Sequence, residues 1–557
     1  MATVDHRLTL NPPATRRRTA RPWLLLALST LVVALVVLPI GYLALRAASA
    51  GPEAWGALLR PRTLRVFTGS AALALGTAAL STLLALPVAW LTVASDLPLR
   101  RFWAVATLLP LAVPSYIFGF AMVAVLGPRG MLQQALAPLG VERLPSIYGF
   151  GGALLTLTLC SYPYVLLTVR AALRRCDPAV EEAARSMGDG PRAVFLRVLL
   201  PQLRPAIAVG ALLVALYALS DFGVVSLLQF DSFTRAIYMQ YRGSFDRSGA
   251  AVLALMLVLL TLGLLWLEHL IRGRPSMSRT TCAVARPRRP VALGPWRWPA
   301  VLFCASLVLL GVGLPLFALS YWLIRGLSNG QALVSLWQAS ANSLLAGALA
   351  AALAVVCALP IAILAVRHPG RLSQLLERGA YLGYALPGIV VALALVFFGA
   401  NVVPLLYQTL PMLLIGYTVR FLPQAVGSVR TSLQQMNPRV EEAARALGRR
   451  PLSVLTSVTT PLVAPGLLAG AALVFLTTIK ELPTTLLLGP SGFPTLATMV
   501  WSATSEALFT RAAAPALLLM LLSALAMALM VAQDHAAEEP LRYNGQYEGT
   551  SHPATDE

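Results

Sequence analysis

Three ionisable side chains stand in stretches that are otherwise apolar. Asp221 lies in ALYALSDFGVVSLLQF, and Lys480 and Glu481 lie in FLTTIKELPTTLLLGP. Lys480 is the only lysine in the chain. Charges inside an apolar span are costly unless they pair or face water. Two readings follow. In one, Lys480 pairs with Asp221 or Glu481 and holds parts of the protein together. In the other, the three groups line a pathway or gate between the halves of a transporter. Catalytic constellations are missing from the sequence. A phosphate-binding loop needs glycine before its lysine, and Lys480 follows Ile479. The histidines His6, His269, His368, His535 and His552 are too dispersed for a metal set, and Cys160, Cys176, Cys282, Cys304 and Cys357 have no Cys-x-x-Cys spacing. No cofactor, metal centre, disulfide or enzymatic activity is expected, and the chain cannot be its own ATPase.

A second group of polar residues is repeated. Residues 177–205, DPAVEEAARSMGDGPRAVFLRVLLPQLRP, return 260 positions later as 437–465, NPRVEEAARALGRRPLSVLTSVTTPLVAP, without a gap. Each copy predicts a short helix, a turn and a second helix. Asp177 or Asn437 is a good N-cap, and Pro178 or Pro438 suits the first helical position. Glu181 and Glu182 sit in the positive first turns. Gly188 or Gly448 can end the helix in the left-handed conformation. Pro191 or Pro451 starts the second helix, and Pro201 or Pro461 is expected to stop it. Val180, Ala183, Ala184 and Met187 form a narrow apolar stripe, repeated as Val440, Ala443, Ala444 and Leu447. Such a stripe fits a helix docked in a partner's groove, and equally one packed on its own membrane domain.

The spacing Glu182-Ala183-Ala184, Gly188, Val198-Leu199-Leu200-Pro201 resembles the EAA loop of ABC importer permeases, whose pattern is E-A-A, three residues, G, nine residues, I-x-L-P. The second copy fits at Glu442-Ala443-Ala444, Gly448 and Pro461, with Thr460 where leucine is expected. The resemblance implies cytoplasmic loops that couple the permease to an ATPase through Glu182, Ala183, Ala184, Gly188, Pro201 and their counterparts Glu442, Ala443, Ala444, Gly448 and Pro461.

The elements that must position these residues are membrane spans. The 557 residues are 57% hydrophobic and only 12% charged, against about 25% charged in soluble chains. Runs long enough to cross a bilayer are expected near 23–45, 67–94, 103–126, 148–169, 206–229 and 250–271, then 300–324, 342–366, 379–400, 405–426, 466–488 and 513–533. The fourth and tenth are interrupted by Pro163 and Pro423. The first run is longer than a signal-peptide core, so an uncleaved helix is expected. With the N-terminus inside, cytoplasmic segments hold 30 arginines and outside segments 11, which puts both repeated loops in the cytoplasm. The +20 formal charge thus reflects topology, not nucleic-acid binding.

The repeat extends further. ALPVAWL at Leu86-Pro87 matches ALPIAIL at Leu359-Pro360, and AVPSYIFGFA at Pro114 matches ALPGIVVALA at Pro387, both 273 residues apart. The first half therefore carries about 13 extra residues, most simply in the outside loop 127–147. The expected fold is an all-α polytopic membrane protein of about 12 helices in two parallel six-helix repeats, which the resemblance assigns to the type I ABC importer permease architecture. Its parts are a basic tail 1–22, a first repeat 23–271, a basic linker 272–299 acting as a flexible joint, a second repeat 300–533, and an acidic tail 534–557 that reads as unstructured.

SDFGVVSLLQFDSFTRAIYMQY and KELPTTLLLGPSGFPTLATMVW are similar to segments of the fused, two-repeat permeases of ferric-iron ABC importers. That resemblance implies a permease of the bacterial inner membrane, with both termini cytoplasmic, two cytoplasmic ATPase subunits and a periplasmic solute-binding protein. Thiamine permeases share the fused layout and remain an alternative cargo class. A twelve-span ion-coupled carrier also has parallel six-helix halves, but it would not need the duplicated cytoplasmic loop. The loop 95–102, SDLPLRRF, also lacks the G-x-x-x-D-R-x-G-R-R pattern that such carriers often show.

Overall fold

Backbone groups inside hydrocarbon must find partners within the protein, so apolar spans cross as helices or closed barrels. The computed structural model describes residues 23–56, 60–243, 247–272, 290–330 and 335–547, and it is helical throughout. The only β pairing among the described residues is an isolated bridge between Ser95 and Val291. Eleven described helices are long and apolar enough to cross a membrane, or twelve when the bent pair Arg371–Tyr384 and Gly388–Asn401 counts as one span. The expected basic tail 1–22, residues 273–289 of the linker and residues 548–557 of the acidic tail lie outside the described residues.

The principal helices of the first half are α1 (Trp23–Ala48), α2 (Pro61–Ala94), α3 (Arg100–Ala106), α4 (Ser115–Leu126), α5 (Phe150–Arg175), α6 (Pro178–Ser186), α7 (Leu200–Ser220), α8 (Gly223–Leu227), α9 (Phe233–Gly243) and α10 (Arg247–Arg272). The second half repeats them in order. They are α11 (Gly294–Ser328), α12 (Trp337–Arg367), α13 (Arg371–Ala385), α14 (Gly388–Asn401), α15 (Leu410–Gln435), α16 (Arg439–Ala446), α17 (Thr460–Ile479), α18 (Pro483–Leu488), α19 (Leu496–Ser505) and α20 (Phe509–Tyr547). Each half is built on a trio, α2 with α5 and α7, and α12 with α15 and α17. The leading helices cross over. α1 packs on α12, α13 and α14, and the Tyr42 hydroxyl donates to the Phe397 carbonyl at 3.3 Å. α11 packs on α4, and Gly311 lets it close on Pro110, since a Cβ there would lie 2.6 Å from the proline ring. The crossing ties the two repeats into one body.

Proline decides where the expected spans hold. The spans expected at 103–126 and 379–400 are broken before Pro114 and Pro387. Val113 (φ −82°, ψ 119°) and Leu386 (φ −90°, ψ 122°) take the extended conformation that a following proline favours. α13 and α14 consequently meet at 103°. Pro163 and Pro423 behave otherwise: α5 and α15 continue through them. These two are the most buried of the spans, at 72% and 67% of their apolar windows, and neighbours on all sides hold their course. Pro201 and Pro461 do not stop the second loop helix. The turns Pro191–Val194 and Pro451–Val454 pass through π segments, Phe195–Leu199 and Leu455–Thr459, directly into α7 and α17. A π turn shifts the carbonyl that the proline ring would otherwise strike. The same device precedes Pro315, after Leu309–Gly313.

Two other expectations change. The end of the linker is docked: Val291 N–H donates to the Ala94 carbonyl at 2.8 Å, and Asp96 Oδ1 accepts from Leu293 N–H at 2.8 Å. Leu91, Leu97, Trp103 and Cys304 form a small apolar cluster beside it. Beyond Asp534 the expected unstructured tail begins as helix: α20 continues to Tyr547, past Pro540 and Gly545. The extra residues of the first half do fall between α4 and α5, where 127–149 stands against 402–409 in the second half.

Candidate functional site

The repeated loops have the helix–turn–helix form that their residues dictate. Asp177 Oδ1 accepts from Ala179 N–H at 2.9 Å, and Asn437 Oδ1 from Arg439 N–H at 3.1 Å. Gly188 (φ +94°) and Gly448 (φ +82°) close α6 and α16 in the left-handed region. The stripe expected at Val180, Ala183, Ala184 and Met187 divides. Ala184 turns inward together with Glu181, while Glu182, Ala183 and the flanking Val180 and Met187 are exposed. The second copy does the same with Ala444 and Glu441 inside and Val440, Glu442, Ala443 and Leu447 outside. Met187 and Leu447 are 81% and 83% exposed.

The inward glutamate of the second loop is an anchor. Arg367 Nε, at the end of α12, lies 3.0 Å from Glu441 Oε2, and the Thr459 hydroxyl donates to Glu441 Oε1 at 2.9 Å. The corresponding first-half positions are Ala94 and Leu199. Glu181 instead meets Arg185 on its own helix, at 3.9 Å. A similar substitution occurs nearby. Arg430 of α15 pairs with Glu377 of α13, whereas its counterpart Arg170 donates to the backbone carbonyl of Ala104.

A cavity of about 200 Å³ lies between the repeats. Its lining uses equivalent positions twice: Leu111 and Tyr384, Cys160 and Arg420, Tyr164 and Gln424, Ser220 and Lys480, Asp221 and Glu481. The three residues singled out in the sequence, Asp221, Lys480 and Glu481, all reach it. They are not in mid-helix, as the spans 206–229 and 466–488 implied. α7 and α17 start earlier, out of the loops, and end at Ser220 and Ile479, so these residues stand at helix breaks. Asp221 Oδ1 accepts from Val224 N–H at 2.8 Å and caps α8. Glu481 Oε1 accepts from the Thr484 hydroxyl at 2.8 Å and from its N–H at 3.3 Å, capping α18.

The partner expected for the carboxylates was Lys480, and the geometry differs. Lys480 Nζ donates to the Leu111 carbonyl at 2.9 Å, a group next to the break at Pro114. The cation on Glu481 is Arg420, whose Nη1 is 2.8 Å from Oε1 and whose Nη2 donates to Ser220 Oγ at 3.3 Å. Arg420 was not singled out, although it is the only arginine inside an expected span; that was the available signal. Room for it comes from Gly388, where a Cβ would overlap the guanidinium and lie 2.7 Å from Glu481 Oε1. The first half fills the same places differently. Ser115 stands at the position of Gly388 and its hydroxyl bonds Asp221, and Cys160 stands at the position of Arg420. Among the described residues no three His, Cys, Asp or Glu side chains gather as a metal set.

Comparison with known proteins agrees with this twofold layout. The family model "Binding-protein-dependent transport system inner membrane component" matches twice, over residues 81–276 and 350–538. The chain is 35% identical over 434 residues to the Fe(3+)-transport system permease protein FbpB 2 of Haemophilus influenzae, covering 77% of this chain and 82% of that one. It is 25% identical over 386 residues to the ferric transport system permease protein FbpB of Actinobacillus pleuropneumoniae, covering 65% and 56% respectively. A probable sulfate transport system permease protein of Nephroselmis olivacea is 28% identical over 236 residues, 41% of this chain.

Two substitutions test this geometry. Gly388→Ala should expel the Arg420 guanidinium from Glu481 and cost about 3 kcal/mol, the scale of breaking a buried pair. Thermal unfolding of the purified protein in detergent should fall accordingly, with Gly427→Ala, which meets only an ordinary contact at 3.6 Å, as the silent comparison. Glu441→Ala should release α16 from α12 and raise hydrogen exchange across 437–460 at least about tenfold, whereas exposed Glu442→Ala should leave exchange there unchanged.

Proposed function

The chain belongs to the family of binding-protein-dependent transport system inner membrane components, and from that membership we propose that it is the fused permease of an ATP-driven importer of ferric iron. The observation that carries the reading is a pair of continuous paths. On each side a loop that exposes Glu182 and Ala183, or Glu442 and Ala443, turns at a left-handed glycine into a helix that runs on to the cavity. From Pro191 to Ser220, and from Pro451 to Ile479, the rise per residue gives roughly 45 Å of rigid element. Movement imposed on Glu182, Ala183 and Ala184, or on Glu442, Ala443 and Ala444, is delivered to Asp221 and to Lys480 with Glu481. The π segments before Pro201 and Pro461 keep those helices unbroken.

ATP hydrolysis belongs to two separate cytoplasmic subunits, one on each loop. Closure of the nucleotide-bound pair draws the loops together and tilts α7 and α17, which opens the cavity toward the other face. A solute-binding protein on that face, the periplasm of a bacterial inner membrane, delivers the cargo. Ferric iron is supported by the names and coverage of the similar permeases. The cavity adds carboxylates, phenols and hydroxyls, oxygen groups that a hard cation accepts in passing.

Reconstituted with its ATPase and binding protein, the chain should support ATP-dependent uptake of ferric iron. Uptake of thiamine or sulfate in place of iron would overturn the cargo, and indifference to ATP would overturn the class. Gly188→Val with Gly448→Val should uncouple the machine, because a β-branched residue in the left-handed region costs on the order of 1–2 kcal/mol and reshapes the docking turn. Membrane insertion should persist while uptake collapses. Wild-type uptake and ATPase stimulation in that double variant would remove the loops from the coupling path.

A further inference from the structure

Two bonds cross from repeat to repeat at the cavity. Lys480 Nζ of the second repeat holds the Leu111 carbonyl of the first at 2.9 Å, and Arg420 Nη2 of the second holds Ser220 Oγ of the first at 3.3 Å. Both donors are cations of the second half, and both acceptors are neutral groups of the first. Among the described residues lining the cavity one ion pair forms, Arg420 with Glu481 at 2.8 Å, and it lies wholly within the second repeat. Asp221, the first repeat's carboxylate, is satisfied by its own half through Val224 N–H and the Ser115 hydroxyl. Parting the repeats therefore separates no bonded pair of opposite charges. Arg420 keeps Glu481, Asp221 keeps its cap, and the bonds released are those to a carbonyl and a hydroxyl, together with the unbonded attraction of Arg420 for Asp221.

We propose that Lys480 and Arg420 form a releasable latch between the repeats, in which cations of one half grip neutral acceptors of the other so that the path opens without breaking an ion pair. Separating buried opposite charges would leave both uncompensated in a low-dielectric layer, and a gate built that way would resist opening. Charged donors on neutral acceptors are strong enough to close the halves and weak enough to yield. The pseudo-symmetric positions make the division plain. Ser220 is the repeat equivalent of Lys480 and Cys160 that of Arg420, so the first half carries small neutral side chains where the second carries its two cations. Lys480 and Arg420 act as positioning residues for the closed state.

The latch rests on the permease reading for its driving force, but its test needs no cargo. Lys480 carries the only side-chain amine in the chain, so reductive dimethylation with formaldehyde and cyanoborohydride, read by peptide mass spectrometry at residue 480, reports its release. In the complex with its ATPase, labelling at 480 should rise at least about tenfold between the nucleotide-free state and the state trapped with ATP and vanadate. Equal labelling in both states would overturn the latch. Ser220→Asp turns the Arg420 bridge into an ion pair, and it should suppress the rise; a rise as large as wild type would overturn the proposal. Should Ser220→Asp fail to fold, Ser220→Ala reads the same bond in the other sense. Labelling of the nucleotide-free protein should then exceed wild type, and unchanged labelling would sink the bridge. Loss of iron uptake with labelling intact would refute the cargo alone.

Discussion

Two helices end at the buried centre of the protein, and the need to satisfy the polar groups left there governs the site. α7 stops at Ser220 and α17 at Ile479, and each is followed by a short helix whose first N–H groups need acceptors. In water those groups would bond solvent. Here Asp221 caps α8, and Glu481 caps α18 with help from Thr484. The carboxylates in turn need donors, which are the Ser115 hydroxyl on one side and Arg420 on the other. The break before Pro114 brings Ser115 to the cavity, and the break before Pro387 sets Gly388 there, which leaves room for the Arg420 guanidinium from α15. Each polar feature at the centre answers another, and the chain starts with the interrupted helix.

The halves are alike in backbone and unlike in charge. Equivalent places hold Ser115 and Cys160 in one repeat and Gly388 and Arg420 in the other. Two identical repeats would bring like groups together at the axis, arginine against arginine or acid against acid. A single chain carrying both repeats can differentiate them, and this one places both cations in the second half. The same division recurs at the loops, where Arg367 grips Glu441 and the first half has Ala94 instead. Breaking a buried pair costs about 3–5 kcal/mol, while a hydrogen bond to a charged group nets about 1.5–3 kcal/mol. By that scale the ion pairs stiffen the second repeat internally, and the contacts between repeats are the weaker ones.

Stiffness within each repeat matters because distance must be covered. The Glu-Ala-Ala loops and the cavity are at opposite ends of one helical path on each side. A proline on that path would ordinarily end it. The π segments at Phe195–Leu199 and Leu455–Thr459 absorb Pro201 and Pro461 without a kink that breaks the element. The crossing of α1 and α11 onto the opposite repeats joins the two bodies around the cavity.

Much of this was legible in the sequence, because it depends on local rules. Apolar length gives spans, and the 260-residue register gives two copies of a capped loop with a left-handed glycine, all of which need only neighbours in the chain. The cavity residues Asp221, Lys480 and Glu481 were visible for the same reason, as charges where charges are costly. Their partners were not. Arg420 reaches Glu481 across 61 residues and Lys480 reaches Leu111 across 369, and no local pattern pairs a lysine with a backbone carbonyl. Proline was ambiguous for a related reason. The same residue breaks the chain at Pro114, passes unnoticed at Pro163 and rides a π turn at Pro201, because the outcome depends on whether surrounding helices satisfy the freed carbonyl. Local chemistry specified the elements and the charged positions, and tertiary packing alone decided which acceptor each charge found, since in a medium without water that choice belongs to whatever group the fold brings within reach.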